Sequence, residues 1–430
     1  MSLSRRTLVL GAAAGLAAGG VFARAQAEAK LAISSTDERA QDEAYWLRVR
    51  ADYDISGEFT NLENGNWGIM SRPVLDAYIV NTERVNRDNS YYARRKFSRD
   101  ALGIRDRVAA SIGASSDELV FTRNATEALT ALIVGYRGLV DGDAVMYADL
   151  DYGSMRAAMR SLASRHESPV VELSIPEPAD HAGLVDFYRK ALDDNPKVRL
   201  LLLTHISHRT GLMLPVRQII ALARARGVDV ILDAAHSWGQ LPVNVEELGA
   251  DFVGFNLHKW IGAPLGVGMM YIRRQRLGTI GLASAAQSAE ADLTRGRVHP
   301  GTSNFAAVLT VPDALDYHEK IGAENKSARL RYLRSVWVEP VRSLVNVEVL
   351  TPDDPRLHVG ITSFRLRGQT SGDLNRALVN TLLENYGLFT VARDGVSKGD
   401  CVRVTPSLYN TPEDCRMLAR ALAAISNGFA

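Results

Sequence analysis

The stretch that decides the fold is residues 228–260, VDVILDAAHSWGQLPVNVEELGADFVGFNLHKW. It holds two short apolar runs, Val228–Leu232 and Phe252–Phe255. Runs of this length with little polar alternation suit strands buried on both faces. The first run closes on Asp233, and the second leads through Asn256-Leu257-His258 to Lys259. In an open α/β sheet, residues just past the carboxyl ends of the strands line the ligand crevice. An aspartate and a lysine are therefore expected at one sheet edge.

Five more strand-like runs flank this pair: Glu118–Thr122, Ala144–Tyr147, Val170–Leu173, Arg199–Thr204 and Val267–Tyr271. Helical patterns lie between most of them, at Ala125–Leu139, Gly153–His166, Gly183–Leu192 and Val216–Arg226. Such alternation predicts an α/β fold whose mainly parallel, seven-stranded sheet is covered on both faces. A polar lead-in precedes it, with a helix around Asp42–Asp54 and a long charged helical stretch from Pro73 to Ile112. After about residue 310 the order changes to long helices over Val311–Leu344, then shorter strands and a final helix. This predicts a large domain over 61–305 and a smaller C-terminal α+β domain over 306–430, with 28–60 an N-terminal segment packing on the small domain.

The first residues read as a unit of their own. Arg5 and Arg6 precede an Ala- and Gly-rich apolar run from Leu8 to Phe22, and small residues follow at Ala23-Arg24-Ala25 and Ala25-Gln26-Ala27. Adjacent arginines before a weakly hydrophobic segment resemble a twin-arginine (Tat) signal over 1–27, which the Tat translocase would carry to the periplasm. A general secretory signal or an N-terminal anchor is the plainer alternative, but the run is short and glycine-rich for a membrane span. No later apolar stretch reaches the length of a span, so no membrane span is expected in the mature form. The chain has 50 basic and 49 acidic residues, a net charge of +1, which gives no electrostatic footprint for nucleic acid. Cys401 and Cys415 can pair in an oxidising compartment, but two cysteines make no disulfide framework, and they read as free or buried thiols. No metal-ligand spacing occurs, so no metal is expected.

Lysine is scarce, with eight against 42 arginines. Lys259 stands apart from the rest because an apolar strand delivers it between His258 and Trp260, with the glycine-rich Gly266-Val267-Gly268 close behind. A lysine so placed is a candidate for a lowered pKa and imine chemistry. Alone, it reads equally as a lysine snorkelling from a strand end. Asp233 alone reads as a helix cap. Together they suit a cofactor whose pyridine nitrogen a carboxylate keeps protonated while an amine holds its aldehyde. Phe121-Thr122-Arg123-Asn124-Ala125-Thr126 runs from a strand into a helix, whose first N–H groups and Thr126 hydroxyl can cradle an anion. The loop Asp149-Leu150-Asp151-Tyr152 opens another helix and offers Tyr152 as a stacking ring.

RNATEAL (123–129), SHRTGLMLPV (207–216), DAAHSWG (233–239), NLHKW (256–260), PGTSN (300–304) and VRVTPSLYNTPED (402–414) resemble, in order, the motifs of the class V aminotransferase family. These are fold-type I enzymes dependent on pyridoxal 5'-phosphate. The resemblance implies that Lys259 forms the Schiff base with the cofactor and later shuttles a proton, and that Asp233 pairs the pyridine nitrogen. It implies that Tyr152 stacks on the ring where many members use histidine, with His236 and His208 near the phenolic oxygen. Ala125, Thr126, Asn256 and His258 match phosphate ligands. Thr302 matches a residue that reaches the neighbouring subunit's phosphate, so a homodimer is expected. Arg403 matches the arginine that grips the substrate carboxylate as a fork. Arg393 is a second candidate, and Asn66 falls in a segment that lines the site.

Cysteine desulfurases of this family carry a nucleophilic cysteine a few residues beyond the second arginine. Here that stretch is Arg393-Asp394-Gly395-Val396-Ser397-Lys398, without a thiol, so desulfurase activity is not expected. Chain length and motif wording are most similar to the isopenicillin N epimerase-like branch. Combined with an export signal, they resemble the periplasmic enzymes that tailor the glutamate side group of the siderophore pyoverdine. That resemblance implies action on the α-amino group of a glutamyl side group, either oxidative decarboxylation to a succinyl or succinamide form or transamination. The alternative is a transaminase, epimerase or C–S lyase acting on another exported amino acid or peptide.

Overall fold

The computed structural model describes residues 36–427 apart from 285, 287–289, 291–292 and 300. The expected export signal over 1–27 and Pro300 of the PGTSN motif lie outside the described residues. Thirteen strands are described among them. A two-residue β1 (Thr60–Asn61) comes first, and seven strands then build the large sheet: β2 (Leu119–Thr122), β3 (Ala144–Ala148), β4 (Val170–Leu173), β5 (Val198–Thr204), β6 (Asp229–Asp233), β7 (Phe252–Asn256) and β8 (Gly268–Ile272). Their order is β2-β8-β7-β6-β5-β3-β4, and β8 alone runs opposite to the other six.

Alternation along each buried strand divides the core. Leu200, Leu202, Ile231 and Phe252 point into one apolar cluster, with the helices Ala125–Gly135 and Gly153–Arg165. Leu201, Leu203, Leu232 and Val253 point into the other, with the helices Phe97–Ile112, His181–Asp194 and Val216–Arg224. Successive strand residues face opposite sides, so these continuous apolar runs demand helices on both faces. Gly254 sets how closely one helix packs. A side-chain carbon there would lie 2.6 Å from Leu129 Cγ, so its absence lets the helix Ala125–Gly135 settle on β7.

The smaller sheet is antiparallel in the order β12-β13-β10-β9, from β9 (Val347–Val349), β10 (Thr362–Leu366), β12 (Val391–Arg393) and β13 (Cys401–Val404). The short β11 (Leu388–Phe389) pairs with β1 instead, in parallel. Trp337, Phe364, Leu382, Val402 and Leu418 form the core of this unit, and Leu62 from beyond β1 joins them. The chain around β1 is stitched in as a strand. Thr60 N–H donates to Gly387 O (2.8 Å), Leu62 N–H to Phe389 O (2.9 Å) and Thr405 N–H to Leu62 O (2.7 Å). This stitching lays Glu63 beside Thr405, two residues beyond Arg403.

The stretch Pro73–Ile112 is two helices, Arg72–Arg95 and Phe97–Ile112, separated at Lys96. Within the first, Asn89 adopts φ 46°, and its side-chain oxygen accepts from Ser90 N–H. With ψ at −135°, Asn89 is non-helical and kinks that helix into two helical parts. The helix expected over Ala125–Leu139 stops at Gly135, because Tyr136 turns to extended backbone and its hydroxyl donates to Asp229 Oδ2 at 2.7 Å. Cys401 and Cys415 are both free and buried.

Gly211 marks a close contact between the two units. Its φ is +73°, and a side-chain carbon would stand 2.0 Å from Ile361 O, so neither backbone conformation nor space admits another residue. Gly211→Ala is expected to cost about 3 kcal/mol or more, from left-handed strain plus overpacking. Gly227 has φ +68° with nothing near, and Gly227→Ala should cost only about 1 kcal/mol. Denaturant midpoints of the two variants check this. Equal shifts would show that the close approach to Ile361 carries no weight.

Candidate active site

Strand register assembles the site. Thr204 at the end of β5 lies opposite Asp233 at the end of β6, and Asp233 lies opposite Gly254, two residues before Asn256 at the end of β7. The carboxyl edge therefore brings a hydroxyl, a carboxylate and an amide side by side. Above it lies a cavity of about 380 Å³, a size that suits a small molecule. Asp233 and Lys259 line this one cavity, together with Asn66, Ala125, Thr126, Tyr152, His208, His236, Asn256, His258, Arg393 and Arg403. Thr302 is exposed and is not on this wall.

Lys259 Nζ lies 3.0 Å from His236 Nε2, and Trp260 Nε1–H donates to His236 Nδ1 at 3.2 Å. A donor at Nδ1 leaves a neutral ring protonated at Nε2, so the imidazole is polarised toward the lysine nitrogen. Burial holds His236 well below the ordinary imidazole range, and the charges of Lys259 and Arg403 add to this. Burial also pulls Lys259 down to about 8, against the opposing pull of Asp233. Asp233 is buried, which raises its carboxyl, and its Oδ1 accepts from Ala235 N–H at 2.9 Å.

The helix Ala125–Gly135 points its N-terminus into the cavity. Asn124 Oδ1 caps it by accepting from Glu127 N–H (2.8 Å), and Ala125 N–H donates to Asn256 Oδ1 (2.8 Å). Thr126 sits between these two on the wall, and Asn256 keeps its NH₂ for a ligand. His258 is oriented by Val267 O, 3.2 Å from Nδ1, and burial holds it down to about 4. An anion at the helix N-terminus would supply the opposite charge that raises it. Phosphate cradle, amine and buried carboxylate thus share one cavity, and this set fits a pyridine aldehyde phosphate.

Tyr152 stands half-exposed at the mouth, edge-on to His208 with ring centroids 5.1 Å apart. Its loop is held from below. Thr204 Oγ1 donates to Asp151 Oδ1 (2.6 Å), and Ala148 N–H donates to Asp151 Oδ2 (2.7 Å). Burial pushes Asp151 up to about 7. The buried Arg209 donates to Asp149 O (2.6 Å) and Asp151 O (3.0 Å), and its Nε donates to Asp394 O (2.6 Å). One side chain therefore ties the tyrosine loop to the loop after Arg393. Neither Arg209 nor Thr204 is singled out by sequence reasoning, since their partners are backbone carbonyls and a neighbouring loop.

Arg403 is not a free fork. Its Nη2 pairs with Glu63 Oε1, and its Nη1 donates to His208 O at 2.7 Å. Arg393 Nη2 lies 3.6 Å from the same Glu63 oxygen, to which Asn66 N–H also donates (3.1 Å). Gly65 runs against the guanidinium, where a side-chain carbon would lie 2.6 Å from Arg403 Nη2. Sequence reasoning missed Glu63. The only signal was its place in the segment that supplies Asn66.

This architecture is that of the fold-type I pyridoxal-phosphate enzymes. The model of the aminotransferase class-V family matches residues 73–418, and the chain belongs to that family. It is an enzyme dependent on pyridoxal phosphate. Isopenicillin N epimerase from Amycolatopsis lactamdurans is 27% identical over 89% of this chain and 98% of its own. The apo cysteine desulfurase from Thermococcus onnurineus NA1 superposes with a TM-score of 0.74 at 21% identity, covering 89% of this chain and 98% of that one. The cystine C–S lyase C-DES, solved with cysteine persulfide, gives a TM-score of 0.73 at 23% identity, covering 85% and 98%.

Lys259 should titrate as a weakened base. In cofactor-free protein, its modification by an amine-selective reagent should rise with pH through about 8 rather than near 10.5, because the neutral amine reacts. Asp233 raises this value, so Asp233→Asn should move the midpoint to lower pH. Peptide mass spectrometry across a pH series reads both midpoints. A midpoint that rises in the variant would reverse the sign assigned to Asp233.

Proposed function

We propose that this enzyme works in the periplasm on the α-amino group of a glutamyl side group of a pyoverdine-type siderophore. The observation that carries the chemistry is Lys259 and Asp233 on one cavity wall, with Arg393 and Arg403 lining the same space. The paired arginines Arg5 and Arg6 before a weakly apolar run support export through the Tat translocase, which moves proteins already folded around a cofactor. A homodimer, with the partner subunit's Thr302 reaching the phosphate, completes the reading.

When bound, pyridoxal phosphate conjugates the substrate's α-carbon to a protonated ring that accepts its electrons. Asp233 holds that ring protonated. The amine of Lys259, weakened by burial, is suited to take and return the α-carbon's proton near neutral pH. His236 keeps the amine oriented through the 3.0 Å contact. Tyr152 covers one side of the cavity, and Arg393 and Arg403 fix the end that carries the acid.

The favoured conversion is oxidative decarboxylation. The glutamyl CH(NH₂)COOH end and one dioxygen become a terminal amide, carbon dioxide and water, and hydrolysis of that amide gives the succinyl form. Transamination would instead exchange the amine for a ketone against a second keto acid. Desulfurase chemistry is disfavoured because both thiols are buried, and burial pushes Cys401 up to about 12. Similarity to an isopenicillin N epimerase along most of the chain favours a second reading, inversion at an α-carbon, which needs no oxidant.

Purified protein should absorb near the visible edge, and Lys259→Ala should abolish the band. Incubation with a glutamyl-bearing siderophore precursor in air, followed by mass spectrometry and carbon dioxide detection, separates the conversions. Carbon dioxide with a terminal amide supports decarboxylation, and a new ketone supports transamination. An α-deuterated precursor that loses only its label to solvent, with no other change in mass, would replace both with epimerisation.

A further inference from the structure

The receptor for the substrate's acid already contains a carboxylate. The stitching of Leu62 and Asn64 to Thr405 fixes the backbone that carries Glu63. Its side chain is 7% exposed and lies against Arg403 (1%) and Arg393 (26%). The contacts leave the carboxylate only half used. Oε1 meets Arg403, Arg393 and the Asn66 N–H, while Oε2 is buried with no partner. Arg403 Nε and Arg393 Nε are also buried and unpartnered. Gly65 closes against the guanidinium of Arg403, and the His208 carbonyl holds its other end.

From this cluster we infer that Glu63 is a specificity-determining residue, a built-in counter-ion that sets the acid receptor for one substrate carboxylate and against two. Two guanidinium charges and one carboxylate leave +1. The deeper pair, Lys259 and Asp233, is balanced within itself. One incoming carboxylate neutralises the receptor. A second would face the bare Oε2 with the receptor's net charge already neutralised, so like charges would repel. The amino acids favoured are therefore those with a free α-carboxylate and a far end that carries no charge. A glutamyl group whose side-chain acid is tied up as an amide has that form, and free glutamate does not. The inference rests on the reading that this cavity binds an amino acid by its carboxylate, but not on which reaction follows.

Glutarate and its monoamide, glutaramate, test it, since they share a shape and differ by one charge and carry no amine to react. Each is titrated into holoenzyme and followed by the shift of the cofactor's visible band. The native protein should bind glutaramate at least tenfold more tightly than glutarate. Glu63→Gln should shift that ratio tenfold or more toward glutarate, and Glu63→Asp, which keeps the charge, should preserve the native preference. Native protein that binds glutarate as tightly as glutaramate overturns the inference without any variant, and this arm stands even where Glu63→Gln fails to fold. An unchanged ratio in a Glu63→Gln protein that keeps its band overturns it too. Failure of the siderophore precursor to react, with these ratios as expected, would sink the substrate reading and leave the role of Glu63 intact.

Discussion

The whole site depends on how firmly the peptide that carries Lys259 is held. The lysine lies just beyond β7, where a strand end would otherwise relax into solvent. Gly68 N–H donates to His258 O at 2.9 Å, and Lys326 Nζ donates to Trp260 O at 2.7 Å. Gly68 and Gly239 approach so closely that a side-chain carbon would stand 2.0 Å from Lys259 O and 2.4 Å from Trp260 C. Three parts of the chain therefore grip the tripeptide His258-Lys259-Trp260: the segment after β1, the turn after Asp233 and the helix Ala323–Arg342. Lys326 is itself buried, which lowers it to about 7, and its neighbour His318 is held far below its ordinary value by the same burial. Burying an amine to hold a carbonyl costs free energy. The return is an immobile lysine, which catalysis by a positioned nitrogen requires.

Charge placement follows from the same enclosure. His208 and His236 are kept neutral chiefly by burial, reinforced by Arg403, Arg393 and Lys259. Neutral rings suit a cavity that already collects the cations Lys259, Arg393 and Arg403. They can hydrogen-bond there without adding repulsion. Glu63 does the converse, supplying one negative charge where two guanidinium groups would otherwise crowd together. The field near Lys259 is a balance of contributions from separate elements, and Asp233 and Glu63 both oppose the lowering of its amine.

Much of this was legible in the sequence. The large sheet could be read because its runs are short, apolar and mostly separated by helices, and the carboxyl ends of the parallel ones fall where a doubly wound sheet puts its ligands. Asp233 and Lys259 stood out because a strand delivers each to the same edge. Less was legible where the partner of a side chain is backbone from a distant segment. Arg209 looks like any arginine until three carbonyl oxygens close around it. Glu63 looks like surface charge until the stitching of β1 turns its segment toward Arg403. The antiparallel course of β8 was hidden as well, since an apolar run carries no sign of its direction.

The fate of the thiols shows why a shared fold leaves the reaction open. Cysteine desulfurases superpose on this chain along most of its length, yet both of its cysteines serve as core residues. Cys401 lies in β13, with its sulfur 4.0 Å from the carbonyl of Arg209. Two positions along, the same strand sends Arg403 into the site, so both residues lie on one face of β13. The loop Asp394–Asp400, whose start Arg209 Nε holds by the Asp394 carbonyl, carries no thiol. Arg209, which anchors the loop of Tyr152, thus also holds the loop after Arg393. On the function proposed, chemistry here is left to the α-carbon of the substrate and to the charges that decide which acid reaches it.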